Sequence, residues 1–183
     1  MVIRIIFLRE VISLNVESNK ITLQKAALNE AELLHKMKYT AFLPLYERYH
    51  DDETSPVKES IDKVIRLLQS QNTDYYFILL DTNKVGAIRI VSDGNANGKN
   101  VYRISPLFVL PEYQNRGIGY NALLKVFDMY KQADMWRLST IKEEKANCHL
   151  YEKCGFVRTG KEEKINRDMT IVYYEKEVCN DCR

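Results

Sequence analysis

Residues 107–119 read Leu-Phe-Val-Leu-Pro-Glu-Tyr-Gln-Asn-Arg-Gly-Ile-Gly. A β-forming run breaks at Pro111, and the chain re-enters a helical pattern through two glycines and a basic residue. A helix start leaves backbone N–H groups unpaired and carries the positive end of the helix dipole, so this arrangement is a seat for an anion such as a pyrophosphate. Gly117 and Gly119 remove the Cβ atoms that would hold a ligand off those amides, and Arg116 adds a fixed positive charge. Further on, residues 147–156 read Asn-Cys-His-Leu-Tyr-Glu-Lys-Cys-Gly-Phe and carry a second signature.

The helix after Gly117 places Tyr120, Leu123, Leu124, Phe127 and Tyr130 inward and Asn121, Lys125, Asp128 and Lys131 outward, a pattern that packs on a sheet. Upstream, residues 20–25 form a short strand. Asn29 with Glu32 reads as a capping box for a helix to about Phe42, with Leu33, Leu34, Met37 and Ala41 as its apolar stripe and Pro44 as its stop. Residues 45–53 are rich in aromatics and acids, and Ser55-Pro56 caps a second helix whose Val57, Ile61, Val64, Ile65 and Leu68 share a face. Residues 75–80 and 85–91 form an antiparallel hairpin, and Gly94 to Gly98 is a flexible link to a strand at 101–110. A strand at 135–141, a helix at 145–154 ended by Gly155, and a hairpin of 156–162 with 169–175 turned at 166–168 complete the chain. The order is strand, two helices, three strands, helix, strand, helix, two strands. It predicts an α/β (mixed α+β) fold, a mixed sheet with helices on its faces. One domain is expected over residues 20–178, preceded by an extension at 1–19 of unassigned role and followed by a tail at 179–183.

The 183 residues are 45% hydrophobic and 28% charged, the balance of an ordinary globule, with a net charge of +2. No Lys/Arg block is long enough for a nucleic-acid footprint, so a small-molecule ligand is the expected partner and nucleic acid is not. Residues 2–14 are apolar but interrupted by Arg4, Arg9 and Glu10, with no small-residue cleavage site after them. That run is too short for a bilayer and too broken for a signal peptide, so a cytoplasmic protein without a membrane partner is expected. Cys148, Cys154, Cys179 and Cys182 read as free thiols; the Cys-x-x-Cys of the last pair leaves a tail zinc or redox site open, and no metal is assigned.

Three phosphate-binding patterns compete for the glycines. A Walker loop needs Gly-Lys and then Ser or Thr, and Gly119 is followed by Tyr120. The dinucleotide pattern finds Gly117-x-Gly119-x-x-Ala122 with Glu143 beyond, but residues 111–116 separate the strand from the first glycine and a hairpin replaces the expected further βαβ units. The third pattern is Gln114-x-x-Gly117-x-Gly119, preceded by Leu107-Phe108-Val109 and followed by Asn147, Tyr151 and Gly155-Phe156. In these residues and in its element order the chain resembles the GNAT superfamily of N-acetyltransferases.

The resemblance implies a central, mostly antiparallel mixed sheet splayed in the middle, with helices on both faces, and acetyl-CoA as co-substrate. It implies that backbone amides of Gln114, Asn115, Arg116, Gly117, Ile118, Gly119 and Tyr120 hold the pyrophosphate. The pantetheine arm would run along Leu107, Phe108 and Val109 like an added strand, in the splay beside residues 135–141. The Val109 amide becomes the donor to the thioester carbonyl, an effect worth ~3–4 kcal/mol per donor in other acyl-transfer sites. Tyr151 falls at the family's general-acid position, and Asn147, four residues earlier and on the same helix face, binds the pantetheine arm or orients the Tyr151 hydroxyl. On the residues alone, Tyr151 also reads as a core aromatic and Asn147 as a polar residue near a helix start. His149 points elsewhere, and Cys148 and Cys154 read as packing residues.

The reading is therefore an N-acetyltransferase that moves acetyl to a primary amine of a small-molecule acceptor by direct attack in a ternary complex. Its rivals are a non-catalytic acyl-CoA-binding sensor and an NAD(P)-dependent oxidoreductase. Tyr39, Tyr46, Tyr49 and the acids at 51–53 suggest a cationic, partly apolar amine, and the aromatics read equally well as core. Glu47, Asp51, Asp52 and Glu53 are the candidate bases, with a solvated acidic surface as the alternative. The resemblance also allows a homodimer, with no contact surface to name.

Overall fold

A computed structural model describes residues 20–178; the extension at 1–19 and the Cys179/Cys182 pair lie outside them. Seven strands form a single sheet: β1 (Ile21–Lys25), β2 (Thr73–Leu80), β3 (Asn83–Ala96), β4 (Lys99–Val109), β5 (Met135–Ile141), β6 (Val157–Lys164) and β7 (Thr170–Glu177), in the order β1-β2-β3-β4-β5-β7-β6. All neighbours are antiparallel except β4 and β5. The helices are α1 (Ala31–Tyr49), α2 (Ile61–Gln69), α3 (Ile118–Met129) and α4 (Lys145–Lys153). The element order is the one expected from sequence.

Because successive strand residues face opposite sides, one strand serves two cores. Phe77, Ala87 and Phe108 pack with Leu34, Met37, Ala41 and Val64 of α1 and α2. Ile78, Ile88, Ile104 and Leu138 pack with Leu123, Val126, Cys148 and Tyr151 of α3 and α4, around the fully buried Trp136.

Several local expectations are corrected. Pro44 does not stop α1, which continues to Tyr49. Proline removes one helical N–H, and tertiary bonds beyond it hold the extra turn: Tyr46 donates its hydroxyl to Asp52 at 2.8 Å, and Arg48 and Tyr49 both donate to Glu144. His50 then closes the helix in a left-handed conformation at φ 50°. The capping box does not use Asn29; the Glu30 carboxylate accepts from the Ala27 N–H at 2.9 Å, one turn earlier, ahead of a 3-10 turn at Leu28–Glu30. Ser55 caps only a short 3-10 turn, Pro56–Lys58, and Ser60 caps α2 by accepting from the Lys63 N–H. Residues 94–98 are no free linker, since β3 and β4 extend to a tight turn between Ala96 and Lys99. Leu33 and Leu124, expected inward, are exposed. Among the described residues no helix is long and apolar enough to cross a membrane.

Candidate active site

The parallel pairing of β4 with β5 runs only from Val101↔Met135 to Ile104↔Leu138, while β5 stays paired with β7 as far as Ile141↔Ile171. Beyond Ile104 the two central strands therefore part, and the β4 edge at residues 105–109 is open. The Leu110 N–H donates to the Val85 carbonyl at 2.8 Å. Alternation then turns the Val109 N–H and C=O toward the open edge. Gln114 returns to the same point, donating its side-chain amide to the Val109 carbonyl at 2.9 Å.

A cavity of about 570 Å³ follows this edge into the start of α3. Gly117 is the N-cap of α3 with φ 76°, and no side chain caps the helix. The first helical bond is Asn121 N–H to the Gly117 carbonyl at 3.0 Å, so the amides of Ile118, Gly119 and Tyr120 have no partner within the helix. They form a bare main-chain cradle at the positive end of a helix. Gly117 is needed for its backbone angle. Gly119 serves close packing, because a Cβ there would press to 3.3 Å on Leu150 of α4.

Of the residues expected to hold a cofactor, Leu107, Phe108, Val109, Gln114, Asn115, Gly117, Ile118, Gly119, Tyr120 and Asn147 all line this cavity. Arg116 does not. Its guanidinium turns back to donate to the Glu112 carbonyl at 2.8 Å and lies over the Tyr113 ring.

A second cavity of about 380 Å³ lies on the other side of the splay, under the end of α1 and against β7. The two cavities share Phe42, Leu45, Leu107, Asn147 and Tyr151 as a common wall. Tyr151 is only 7% exposed, its ring packed on Phe156 and Tyr174 at centroid distances of 6.1 and 6.2 Å. Burial raises its phenol pKa well above the usual tyrosine range. Among the described residues neither the Tyr151 hydroxyl nor the Asn147 side chain has a hydrogen-bond partner, and both side chains border the two spaces. The Cys148 and Cys154 thiols and the Phe156 and Tyr174 rings surround Tyr151, whose side chain forms part of the wall between two ligand-sized spaces.

The acidic segment divides. Asp51 lines the second cavity, 5% exposed, and accepts from the Glu53 and Thr54 N–H groups and the Thr54 hydroxyl. Asp52 pairs with Lys58 and Tyr46, and neither it nor Glu47 or Glu53 reaches the lining. Tyr46 and Tyr49 line the cavity; Tyr39 is exposed on α1.

Two residues of this region escape sequence reading. Glu144 joins the end of α1 to the start of α4, accepting from Arg48 at 2.6 Å and from Tyr49 at 2.7 Å. Gly86 of β3 lets β4 approach: a Cβ there would overlap the Phe108 carbonyl and stand 3.0 Å from the Val109 Cα. A lone glycine inside Val85-Gly86-Ala87 is the signal that could have found it. Cys148 and Cys154 are free and buried, and among the described residues no cluster of ligating side chains could hold a metal ion.

Comparison with known proteins gives one family. The model of the "Acetyltransferase (GNAT) family" matches residues 39–156. No curated protein sequence matches significantly. Among solved structures, a spermidine N-acetyltransferase from Vibrio cholerae in complex with CoA and spermine is similar at a TM-score of 0.68 and 19% identity, over 87% of this chain and 96% of that one. A putative acetyltransferase from Salmonella typhimurium with its cofactor acetyl-CoA gives 0.68 and 12% identity, covering 90% of this chain and 97% of the other. An acetyltransferase from Thermus thermophilus gives 0.65 and 18%, over 87% and 97%.

Proposed function

The chain belongs to the GNAT acetyltransferase family, and from that premise we propose that it transfers the acetyl group of acetyl-CoA to a primary amine of a small-molecule acceptor by direct attack in a ternary complex. The observation that carries this reading is the pair of cavities meeting at Leu107, Asn147 and Tyr151, because direct transfer needs two ligands on one reacting point.

Acetyl-CoA, when bound, supplies an activated acetyl thioester. The amides of Ile118, Gly119 and Tyr120, with the loop at 114–117, hold its pyrophosphate. Residues 107–109 hold the pantetheine arm as an added strand would. The Val109 N–H, turned to the open edge, donates to the thioester carbonyl and stabilises the charge that grows there. Asn147 fixes the arm or the Tyr151 hydroxyl. Tyr151, kept protonated by burial, gives its proton to the departing thiolate of CoA.

The acceptor enters the second cavity and must attack as a neutral amine, so its ammonium proton passes first to a base or to water that carries it to solvent. The test is a screen of amine acceptors with detection of the free thiol of released CoA. Turnover on primary amines with one acetyl gained per CoA released supports the proposal; silence across a broad panel, with acetyl-CoA bound, contradicts it.

A further inference from the structure

The acceptor-side cavity is charged in one sense only. Its lining contains the carboxylates of Asp51 and Glu163 and no lysine, arginine or histidine. Asp51 is nine-tenths buried yet receives only dipoles; among the described residues no lysine or arginine forms an ion pair with it, and Lys58 goes to its neighbour Asp52 instead. A buried carboxylate without a counter-charge gives the space a negative potential.

Glu163 stands at the far side, on the edge strand β6. It accepts from the Tyr173 hydroxyl at 2.5 Å, which holds the carboxylate in one orientation, and that bond raises the Tyr173 pKa. Glu163 lies opposite Ile171 of β7, and Ile171 lies opposite Ile141 of β5. The carboxylate is thus about two strand spacings from β5, roughly 10 Å. The nearby Lys161 ammonium sits over the Tyr173 ring and does not reach the lining. The lining that Tyr151 and Glu163 share mixes apolar residues such as Phe42, Leu107 and Met169 with uncharged hydroxyl residues such as Ser139 and Thr140.

We propose that Glu163, positioned by Tyr173, is a specificity-determining anchor for a second ammonium group on the acceptor, so that the preferred substrates are diamines rather than monoamines. This rests on the amine-acetyltransferase reading above. The reacting nitrogen gives its ammonium proton to solvent water before attack, the uncharged stretches of the lining carry the connecting chain, and the distal nitrogen keeps its charge at Glu163. Asp51 strengthens the field without a direct bond, since its oxygens are already engaged.

The test compares wild type, Glu163→Gln and Glu163→Asp on α,ω-diamines of stepped chain length and on monoamines of matched length. Released CoA thiol reports turnover, and calorimetry in the presence of CoA reports diamine binding. Glu163 is exposed, so melting curves of both variants should overlay that of wild type. Expected is a fall of roughly fivefold in the diamine-to-monoamine ratio of kcat/KM for Glu163→Gln, the range of a partly solvated ion pair. Glu163→Asp restores part of the ratio, and the wild-type preference shrinks as salt rises. An unchanged ratio in Glu163→Gln with normal turnover overturns the anchor and leaves the transferase reading intact. Diamine binding weakened by Glu163→Gln, with no amine acetylated by wild type, supports the anchor and removes the transferase reading.

Discussion

Replacing Tyr151 by phenylalanine deletes one oxygen from the wall between the two cavities, and the structure sets what should follow. The ring keeps its contacts with Phe156 and Tyr174. The hydroxyl has no protein partner among the described residues, so no donor or acceptor is orphaned by its loss. Stability should change by less than about 0.5 kcal/mol, as for substitutions that touch no packing or hydrogen-bond network, which is within ~2 °C of melting temperature for a domain of this size. Affinity for CoA should also hold, because the seat proposed for its pyrophosphate is main chain at the start of α3. Catalysis should not: losing a general acid costs ~10²–10⁴-fold in kcat, or roughly 3–5 kcal/mol of barrier. Burial raises the Tyr151 pKa, so the rate is expected to show no loss from its ionisation near neutral pH. The assay is initial-rate thiol release at saturating acetyl-CoA, alongside melting curves and CoA calorimetry. A kcat within about threefold of wild type in a folded, CoA-binding variant would refute the assignment of Tyr151 as the acid, since general-acid losses are far larger.

Gly86→Ala forces a Cβ against the Phe108 carbonyl; overpacking of this kind costs ~1–3 kcal/mol, readable as a lower melting temperature together with weaker CoA binding, because Phe108 and Val109 move. Glu59→Gln strands the almost fully buried Lys38 of α1, whose pKa burial already lowers; denaturant titration should show a loss of roughly 3–5 kcal/mol, as for one-sided removal of a buried pair. Acid should destabilise the fold. Burial would raise the carboxyl pKa values of Glu59 and Asp74, but hydrogen bonds from Lys38 and Lys63 to the first and from Lys25 and Tyr130 to the second outweigh it and leave both lowered. Their contribution is full above the unfolded carboxylate range near ~4 and is lost as pH falls through the lower folded values. A melting temperature that does not fall between about pH 5 and about pH 3 would contradict this.

Element order, strand type and the glycine cradle were legible because each depends on local pattern: period-two apolar runs, a proline break, glycines before a period-3.6 stripe. Asn147 and Tyr151 were legible as a pair because four-residue spacing puts both on one helix face. What stayed hidden depends on contacts between distant segments. The extension of α1 through Pro44 rests on Tyr49 and Arg48 meeting Glu144, 95 and 96 residues away. Arg116 was expected at the anion seat by type and proximity, but a local carbonyl and the Tyr113 ring hold it outside the lining. Glu163 sat unremarked in a charged hairpin strand, and only the folding of β6 beside β7 brings it to the acceptor cavity. Leu124 shows the limit of a stripe drawn too wide, since the buried arc of α3 is carried by Ile118, Ala122, Leu123 and Val126.

The central claim is that unpaired amides at the start of α3 grip the diphosphate of acetyl-CoA. Its most direct test is an NMR titration that follows backbone amide resonances. The resonances of Ile118, Gly119 and Tyr120 are expected to move first and furthest and to saturate at one acetyl-CoA per chain, with a Gly117→Ala substitution weakening the response. Saturable binding that leaves those three resonances in place, or no binding at all, would contradict it.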